Sequence, residues 1–436
     1  MQARALFLSL MVVTLSLSGC FGENEVSKST EEPTPFDSLP STTTWYHYPG
    51  GINATNASFG FENLTGNSTP FPALGTYYGI GDTTFEPTIG VTSTGGIHFA
   101  SFGGAGSGTM VYSSMDQGQT WNNMGPFNPI LPIEVGQVPS SNDPYIYVDK
   151  WTDRIVKFDM HALTAMFVEY SDDDGETWSI PFSAEGYYSP QDHQSIASMP
   201  DVDGIALYDT IFVFCINTGN SAAGPQCSRS LDGAHTWDLQ RPGYPTGTAQ
   251  CSGLHGHLAC SNDGAIYRGN PSCDGPAVYR SIDGGYSWTE HTITTEVPMQ
   301  DGWHSHEVAV ATDEAGNLFA SWISVDHMPW MAYSRDQGDT WSEPMMVAPP
   351  EVTETGFPTI FAGDEGRVVV GYIGENVDNG GWSGYMSVMT DAFADNPLIT
   401  SVAVNAPEDP LDSTDDCGNV RCGGFGDFID VELDDE

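Results

Sequence analysis

Nine side chains in this sequence stand where they could do chemistry together: Glu86, Asp143, Asp192, His193, His255, His257, His306, Glu307 and Asp427. Carboxylates brought to opposite sides of a glycosidic bond can act as acid and base, or as acid and nucleophile, when about 5–10 Å apart. Glu86, Asp143, Asp192 and Glu307 are the candidates for that work, with His193, His255 and Arg268 as candidates to hold the substrate. Two His-x-His pairs, His255 with His257 and His304 with His306, suggest a second chemistry. In a strand, residues i and i+2 share a face, so each pair can present two imidazoles to a Zn²⁺ or Cu²⁺ ion. Hydrogen bonding between neighbouring elements is the competing explanation for these histidines.

These residues are far apart in sequence, so a repeating framework must gather them. Five short apolar strands open with them, Glu86-Pro-Thr-Ile-Gly-Val, Asp143-Pro-Tyr-Ile-Tyr-Val, Asp192-His-Gln-Ser-Ile-Ala, His255-Gly-His-Leu-Ala-Cys and His306-Glu-Val-Ala-Val-Ala, and a sixth of the same kind, Phe357-Pro-Thr-Ile-Phe-Ala, opens after a Gly. Out of phase with them runs a second repeat. Its copies are Ser114-Met-Asp116-Gln-Gly118-Gln-Thr120-Trp121, Ser171-Asp-Asp173-Asp-Gly175-Glu-Thr177-Trp178, Ser230-Leu-Asp232-Gly-Ala234-His-Thr236-Trp237, Ser281-Ile-Asp283-Gly-Gly285-Tyr-Ser287-Trp288 and Ser334-Arg-Asp336-Gln-Gly338-Asp-Thr340-Trp341. They start 57, 59, 51 and 53 residues apart, a period that marks a repeat protein. In each copy Asp can accept bonds from backbone N–H groups two residues on, Gly supplies a positive φ, and Trp anchors the hairpin. Ala234 at the Gly position implies a strained or reshaped turn.

The repeat resembles the Asp-box, or bacterial neuraminidase repeat, of sialidase-like β-propellers. The resemblance implies an all-β propeller of four-stranded antiparallel blades, with Asp116, Asp173, Asp232, Asp283 and Asp336 as structural residues on the outer edges of blades. Four short strands per ~50 residues agrees with it. Six units run from residue 86 to about 405, the sixth without a box, and Gly426-Asp-Phe-Ile-Asp-Val-Glu-Leu433 is a seventh inner-strand candidate. Seven blades, the last composite and completed from residues 44–80 beginning Thr44-Trp-Tyr-His-Tyr48, fit slightly better than six with an appendage. The stretch 192–306 is also similar to a group of secreted sialidase-like proteins. True sialidase activity would need three arginines on the substrate carboxylate, the first in an Arg-Ile-Pro tripeptide, and the sequence has no such tripeptide.

The ends and the composition bound the rest. Arg4, an apolar run from Ala5 to Leu17, and Leu17-Ser-Gly-Cys20 read as a signal peptide (1–20) whose end resembles a lipobox, with Cys20 the lipidated residue. Residues 21–43 read as a Ser/Thr/Pro-rich acidic stalk and 44–436 as one propeller domain. Sequons stand at Asn53, Asn56, Asn63 and Asn67. Export is expected, with the protein lipid-anchored on the outer face of the membrane. Twelve Lys+Arg against 58 Asp+Glu give a formal charge of −46. Such a surface repels nucleic acid and anionic lipid, so neither is an expected partner, and contact with the membrane is expected only through the anchor. Ca²⁺ is a possible ligand of the acidic surface. Eight cysteines suit an oxidising setting: beyond Cys20, the expected pairs are Cys215 with Cys227, Cys251 with Cys273 and Cys417 with Cys422, leaving Cys260 as a buried free thiol. The resulting expectation is a monomeric surface protein that binds or hydrolyses a glycan at the mouth of a central channel. A non-catalytic module binding carbohydrate or a surface protein is the alternative, and a His-bound metal site the second.

Overall fold

Each box closes a hairpin with one hydrogen-bond pattern. In the computed structural model the Ser hydroxyl donates to one Asp oxygen (2.8–2.9 Å) and accepts from the amide at the Gly or Ala position (2.8–2.9 Å). The Thr or Ser four residues after the Asp donates twice to that Asp, from its amide (2.8–2.9 Å) and its hydroxyl (2.6–2.7 Å). The Asp therefore caps an amide four residues on, not two as expected from short Asx turns. For Asp116 and Asp336 these Thr bonds hold the carboxyl below the usual range. Ala234 keeps the same geometry at φ 73°, a left-handed conformation that costs an alanine what it does not cost the glycines of the other boxes.

The structure describes residues 45–49, 86–102, 109–125, 144–161, 165–184, 191–218, 224–245, 254, 256–300, 307–349, 352–376, 381–395, 397–404, 411 and 428–433. A first strand, β1 (Trp45–Pro49), precedes six meandering sheets. Blade 1 is β2 (Thr88–Val91), β3 (Ile97–Phe102), β4 (Thr109–Ser114) and β5 (Asn122–Gly125); blade 2 is β6 (Tyr145–Val148), β7 (Ile155–His161), β8 (Ala165–Ser171) and β9 (Phe182–Ser183). Blade 3 is β10 (Gln191–Pro200), β11 (Thr210–Thr218), β12 (Gln226–Ser230) and β13 (Arg241–Pro242); blade 4 is β14 (Leu258–Cys260), β15 (Ile266–Pro271), β16 (Pro276–Ser281) and β17 (Thr289–Thr292). Blade 5 is β18 (Ala309–Thr312), β19 (Leu318–Ile323), β20 (Pro329–Ser334) and β21 (Met345–Met346), and blade 6 is β22 (Val352–Ala362), β23 (Val368–Asn376), β24 (Gly381–Met389) and β25 (Leu398–Ala403).

The fold is thus an all-β six-bladed propeller, with the first strand of each blade innermost. The seven-blade expectation is corrected on two points. Blade 6 already owns four strands, and β1 adds to its outside as a fifth, Trp45 opposite Val402 and Pro49 opposite Leu398. Among the described residues, 428–433 join no sheet, and residues 50–80, expected to complete that blade, lie outside the described residues. The alternation of apolar residues that suggested a strand packs this segment against blade 6, as described below.

Blades pack face to face through apolar side chains, with the largest core cluster running from blade 4 to blade 6 around Trp322, Phe319 and Tyr372. Polar stitches cross the same seams. Between blades 1 and 2 the Thr109 amide donates to Asp159 (2.5 Å), and the Thr109 hydroxyl to the Phe158 carbonyl (2.6 Å). Behind them Lys157 is buried with its Nζ 2.6 Å from Asp159 and 2.5 Å from Glu169.

The sulfur chemistry matches the expectation where it is described. Cys215 and Cys227, directly opposite on β11 and β12, form a disulfide, and Cys260 is a buried free thiol. Cys273 is also disulfide-bonded. Cys20, Cys251, Cys417 and Cys422, like the sequons, lie outside the described residues.

Candidate functional site

Three inner strands open in the same unusual way. Glu86, His193 and Phe357 each stand two residues ahead of a ladder residue (Thr88, Ser195, Thr359), and each has a positive φ: 50°, 55° and 53°. In β10 and β22 this residue lies within a register shift, between Asp192 and Ser195 and between Gly356 and Thr359. A left-handed residue in a bulge turns its side chain off the line of the strand, and such strain clusters at functional sites. By sequence alignment Asp143, His255 and His306 take the equivalent places, and all three lie outside the described residues, as do His304 and Asp427. For Asp192 only the backbone is described, paired with Asn217.

The side chains that are described do converge. His193 Nε2, from blade 3, lies 3.6 Å from Glu307 Oε2 at the start of blade 5, a contact between blades that are not neighbours. Both are buried, as is Glu86. His257 from blade 4 meets the Tyr145 ring of blade 2 edge-on at 5.3 Å. Tyr145 is bonded to the Ser195 hydroxyl (3.1 Å); burial, and next the Asp430 carboxylate, push its phenol above the usual range.

The Phe428 ring reaches into this collar, and residues 429–433 run between blade 6 and blade 1 as part of the channel wall. The Phe428 ring stands edge-to-face against His193 (5.3 Å) and against His257 (5.2 Å). Ile429 packs with Phe357 and Ile373, and Val431 with Val369, Met386 and Val402 of blade 6. Asp430 accepts a bond from the Ile89 amide of blade 1 (3.1 Å) and lies 3.7 Å from His257 Nδ1. The segment thus runs along blade 6 from the collar towards Gly363 at the far end of β22, near which Leu433 lies, and its Asp430 bond to blade 1 repeats the stitches from Ile146 to Thr88 and from Leu258 to Ser195.

Beside it a cavity of ≈ 670 Å³ remains in the channel. The inner strands of the blades wall it with aliphatic side chains, together with Glu307, His257 and the segment itself. Its far rim is made by the turns between first and second strands. There the half-buried Trp151 faces the space with Lys150, Asp153, Glu314, Asp364 and Arg367. Lys150 Nζ sits 4.7 Å over the Trp151 ring and donates to Asn262 of blade 4 (2.8 Å); Asp153 accepts from the Ser93 amide of blade 1 (2.7 Å). Sequence reasoning looked to the openings of the inner strands and missed this rim, although Lys150 and Arg367 are two of only 12 Lys and Arg in the chain.

No protein-family model and no curated protein matches the sequence. Among solved structures the chain is similar to the Hadza microbial sialidase Hz136 (TM-score 0.46, 18% identity, over 67% of this chain and 63% of that one). It is also similar to NanB sialidase from Streptococcus pneumoniae (0.43, 11%, 67% and 74%) and to the six-bladed Aleuria aurantia lectin (0.42, 8%, 72% and 93%). This chain therefore spans less than two thirds of the length of Hz136. Likenesses at this level carry nothing about chemistry.

Arg268, expected to hold substrate, lies elsewhere. It is fully buried where blade 4 meets the end of blade 3, its guanidinium 4.5 Å over the Tyr279 ring, donating to Asn270 and to the Gly243 carbonyl (2.5 Å). Burial lowers its pKa to about 10. As for metal, among the described residues no three His, Cys, Asp or Glu side chains form a cluster able to hold an ion.

Proposed function

We propose that the protein is a non-catalytic recognition module, lipid-anchored through Cys20 on the outside of the cell, that holds a neutral glycan in its channel. The observation that carries the reading is the ≈ 670 Å³ cavity, a size that suits a small ligand, with an aromatic face at Trp151 among hydrogen-bonding carboxylates and cations. A pyranose has an apolar face for the indole and hydroxyls for Asp153, Glu314 and Asp364. The exposed peptide edges of the inner strands add donors and acceptors, as the Ile89 amide does for Asp430.

Binding is favoured over hydrolysis by the state of the carboxylates. Glu86 is 1% exposed and Glu307 4%, in a collar that Phe428 closes, whereas hydrolysis needs two carboxyl groups free to flank the bond. The charge of −46 favours a neutral over an anionic sugar.

A glycan array probed with the chain carrying Cys20→Ser tests this reading. Binding to neutral oligosaccharides, lost in Trp151→Ala and unaccompanied by product release, is the expected result. Silence across the array, or hydrolysis of a bound glycan, refutes it. Release of the Cys20→Ser protein into the medium, with loss of labelling by a fatty-acid probe, is the expected result for the anchor.

A further inference from the structure

The seams between blades repeat, so a seam that departs from its neighbours points to something besides packing. Arg229 follows the pattern. Its Nη1 reaches the Asp283 carbonyl in the next blade's box (3.5 Å), as Arg280 reaches that of Gln337 (2.9 Å), and each also pairs with a carboxylate, Asp238 (2.9 Å) or Asp339 (3.3 Å). Arg241, on the outermost strand of blade 3, departs from it. Four residues after its box Trp, it holds the place that Phe182 holds in blade 2, and Tyr286 holds the box place of His235. Phe182 and His235 meet with ring centroids 4.7 Å apart, whereas Arg241 lies 3.8 Å over the Tyr286 ring and donates to its hydroxyl (2.5 Å). The seam therefore needs a flat group at this place and no charge. Among the described residues, Arg154, Arg229, Arg280, Arg335 and Arg367 each have a carboxylate within 3.7 Å and Arg241 has none, although acids outnumber Lys and Arg by 58 to 12. Arg229 lies over the same Tyr286 ring (4.4 Å), so two guanidiniums meet one exposed phenol. Stacking holds both forks in place, which removes part of the ordering cost of binding. Exposed apolar side chains stand beside them: Leu239, two residues before Arg241, and Ile282, in the same box as Tyr286. Arg and Tyr with apolar neighbours is the composition of protein-binding hot spots.

We propose that this patch, on the outer flank of blades 3 and 4, docks an acidic peptide segment of a partner protein. Arg241 takes one carboxylate of the segment in its fork, and an apolar side chain next to that carboxylate lies on Leu239 and Ile282. A free small anion would make no use of those two residues. The acids that border the patch are engaged already, Asp238 with Arg229 and Asp283 within its own box. The charge of −46 repels such a segment elsewhere on the surface, so the patch fixes where it can land. The site is separate from the channel and does not rest on the glycan reading.

The test is an array of dodecapeptides in which Glu or Gln, and Leu or Ala, are varied independently on a Gly/Ser background, probed with the full chain carrying Cys20→Ser. Binding should need a Glu next to a Leu, and should fall roughly tenfold or more with Gln in place of Glu or in Arg241→Ala. Arg241→Lys should not restore it, since an ammonium neither stacks flat on Tyr286 nor forks to a carboxylate. Leu239→Ser should weaken binding of the Leu peptides and leave the Ala peptides unchanged. Equal binding of Glu and Gln peptides, equal binding by parent and Arg241→Ala, or silence across the array overturns the proposal. So does Glu binding that is indifferent to Leu and is displaced by free acetate or sulfate, which marks an anion site only. Arg241→Phe separates docking from packing. Carrying the ring that blade 2 uses, it should melt as the parent does and bind no acidic peptide. Early melting of that variant means that the guanidinium serves the seam, and overturns the proposal. Trp151→Ala should leave peptide binding unchanged, so the channel reading and this one fail separately.

Discussion

Lys157→Met tests how the ring of blades is held at its first seam. In the parent protein one buried ammonium serves two buried carboxylates, 2.6 Å from Asp159 and 2.5 Å from Glu169, and Asp159 in turn anchors the Thr109 amide of blade 1. Methionine fills a similar volume but leaves two adjacent carboxylates with no cation. Removing one partner of a buried pair costs about 3–5 kcal/mol, which at a urea slope of about 3 kcal/mol/M lowers the midpoint at pH 7.5 by about 1–1.7 M. The two acids cannot both ionise side by side, so one keeps its proton in the folded variant. The folded state then binds one proton more than the unfolded, and stability should rise by about 1.4 kcal/mol for each pH unit of acidification down to about pH 5. The parent shows the same sign more weakly. Burial raises Glu169 above its ordinary 4.5, so its contribution is greatest below pH 4.5 and is lost as pH rises through the folded value. Urea unfolding followed by tryptophan fluorescence at pH 7.5, 6.5 and 5.5 measures both effects. A loss below 1 kcal/mol, or a loss that does not change with pH, refutes the reasoning.

Three further outcomes follow from geometry already described. Asp336→Ala removes the bonds of one box and should cost about 1 kcal/mol, the carboxylate being exposed; because Asp336 titrates below its usual range when folded, the cost should vanish as pH falls below about 4, as read by thermal melting. Cys215→Ser with Cys227→Ser should cost about 2–3 kcal/mol in chemical denaturation, since the bond closes a loop with a sequence separation of 12. Gly269→Ala would put a methyl 1.9 Å from the Val308 carbonyl oxygen, next to Glu307, and should lower the urea midpoint by more than any box substitution.

The box motif made the architecture legible because its information is local: eight residues supply every donor and acceptor of the turn. The convergence of inner-strand openings followed from the same phase, and His193 of blade 3 meeting Glu307 of blade 5 agrees with it. What the sequence hid depends on distant partners. Phe428 to Leu433 alternates like a strand, and nothing local says that its apolar side chains face blade 6 and the collar instead of a neighbouring strand. The positive φ of Glu86, His193 and Phe357 has no residue signature, since none of them is glycine. Arg268 misled for a related reason: a strand residue of a propeller can face the channel end or the seam between blades, and only Tyr279 and Gly243 on the other side of that seam decide it.

The unequal lengths of the outermost strands bear on where one copy could pair with another. Blades 2, 3 and 5 end in strands of two residues, too short to template pairing with another chain. Blade 6 alone would end in a six-residue strand, β25, with Leu398 exposed, and it is this edge that β1 covers. The replacement edge finishes at Pro49, which has no amide proton to offer. β1 is therefore a guard on the longest outer edge among the described blades, and a chain begun after residue 49 would be expected to associate edge to edge.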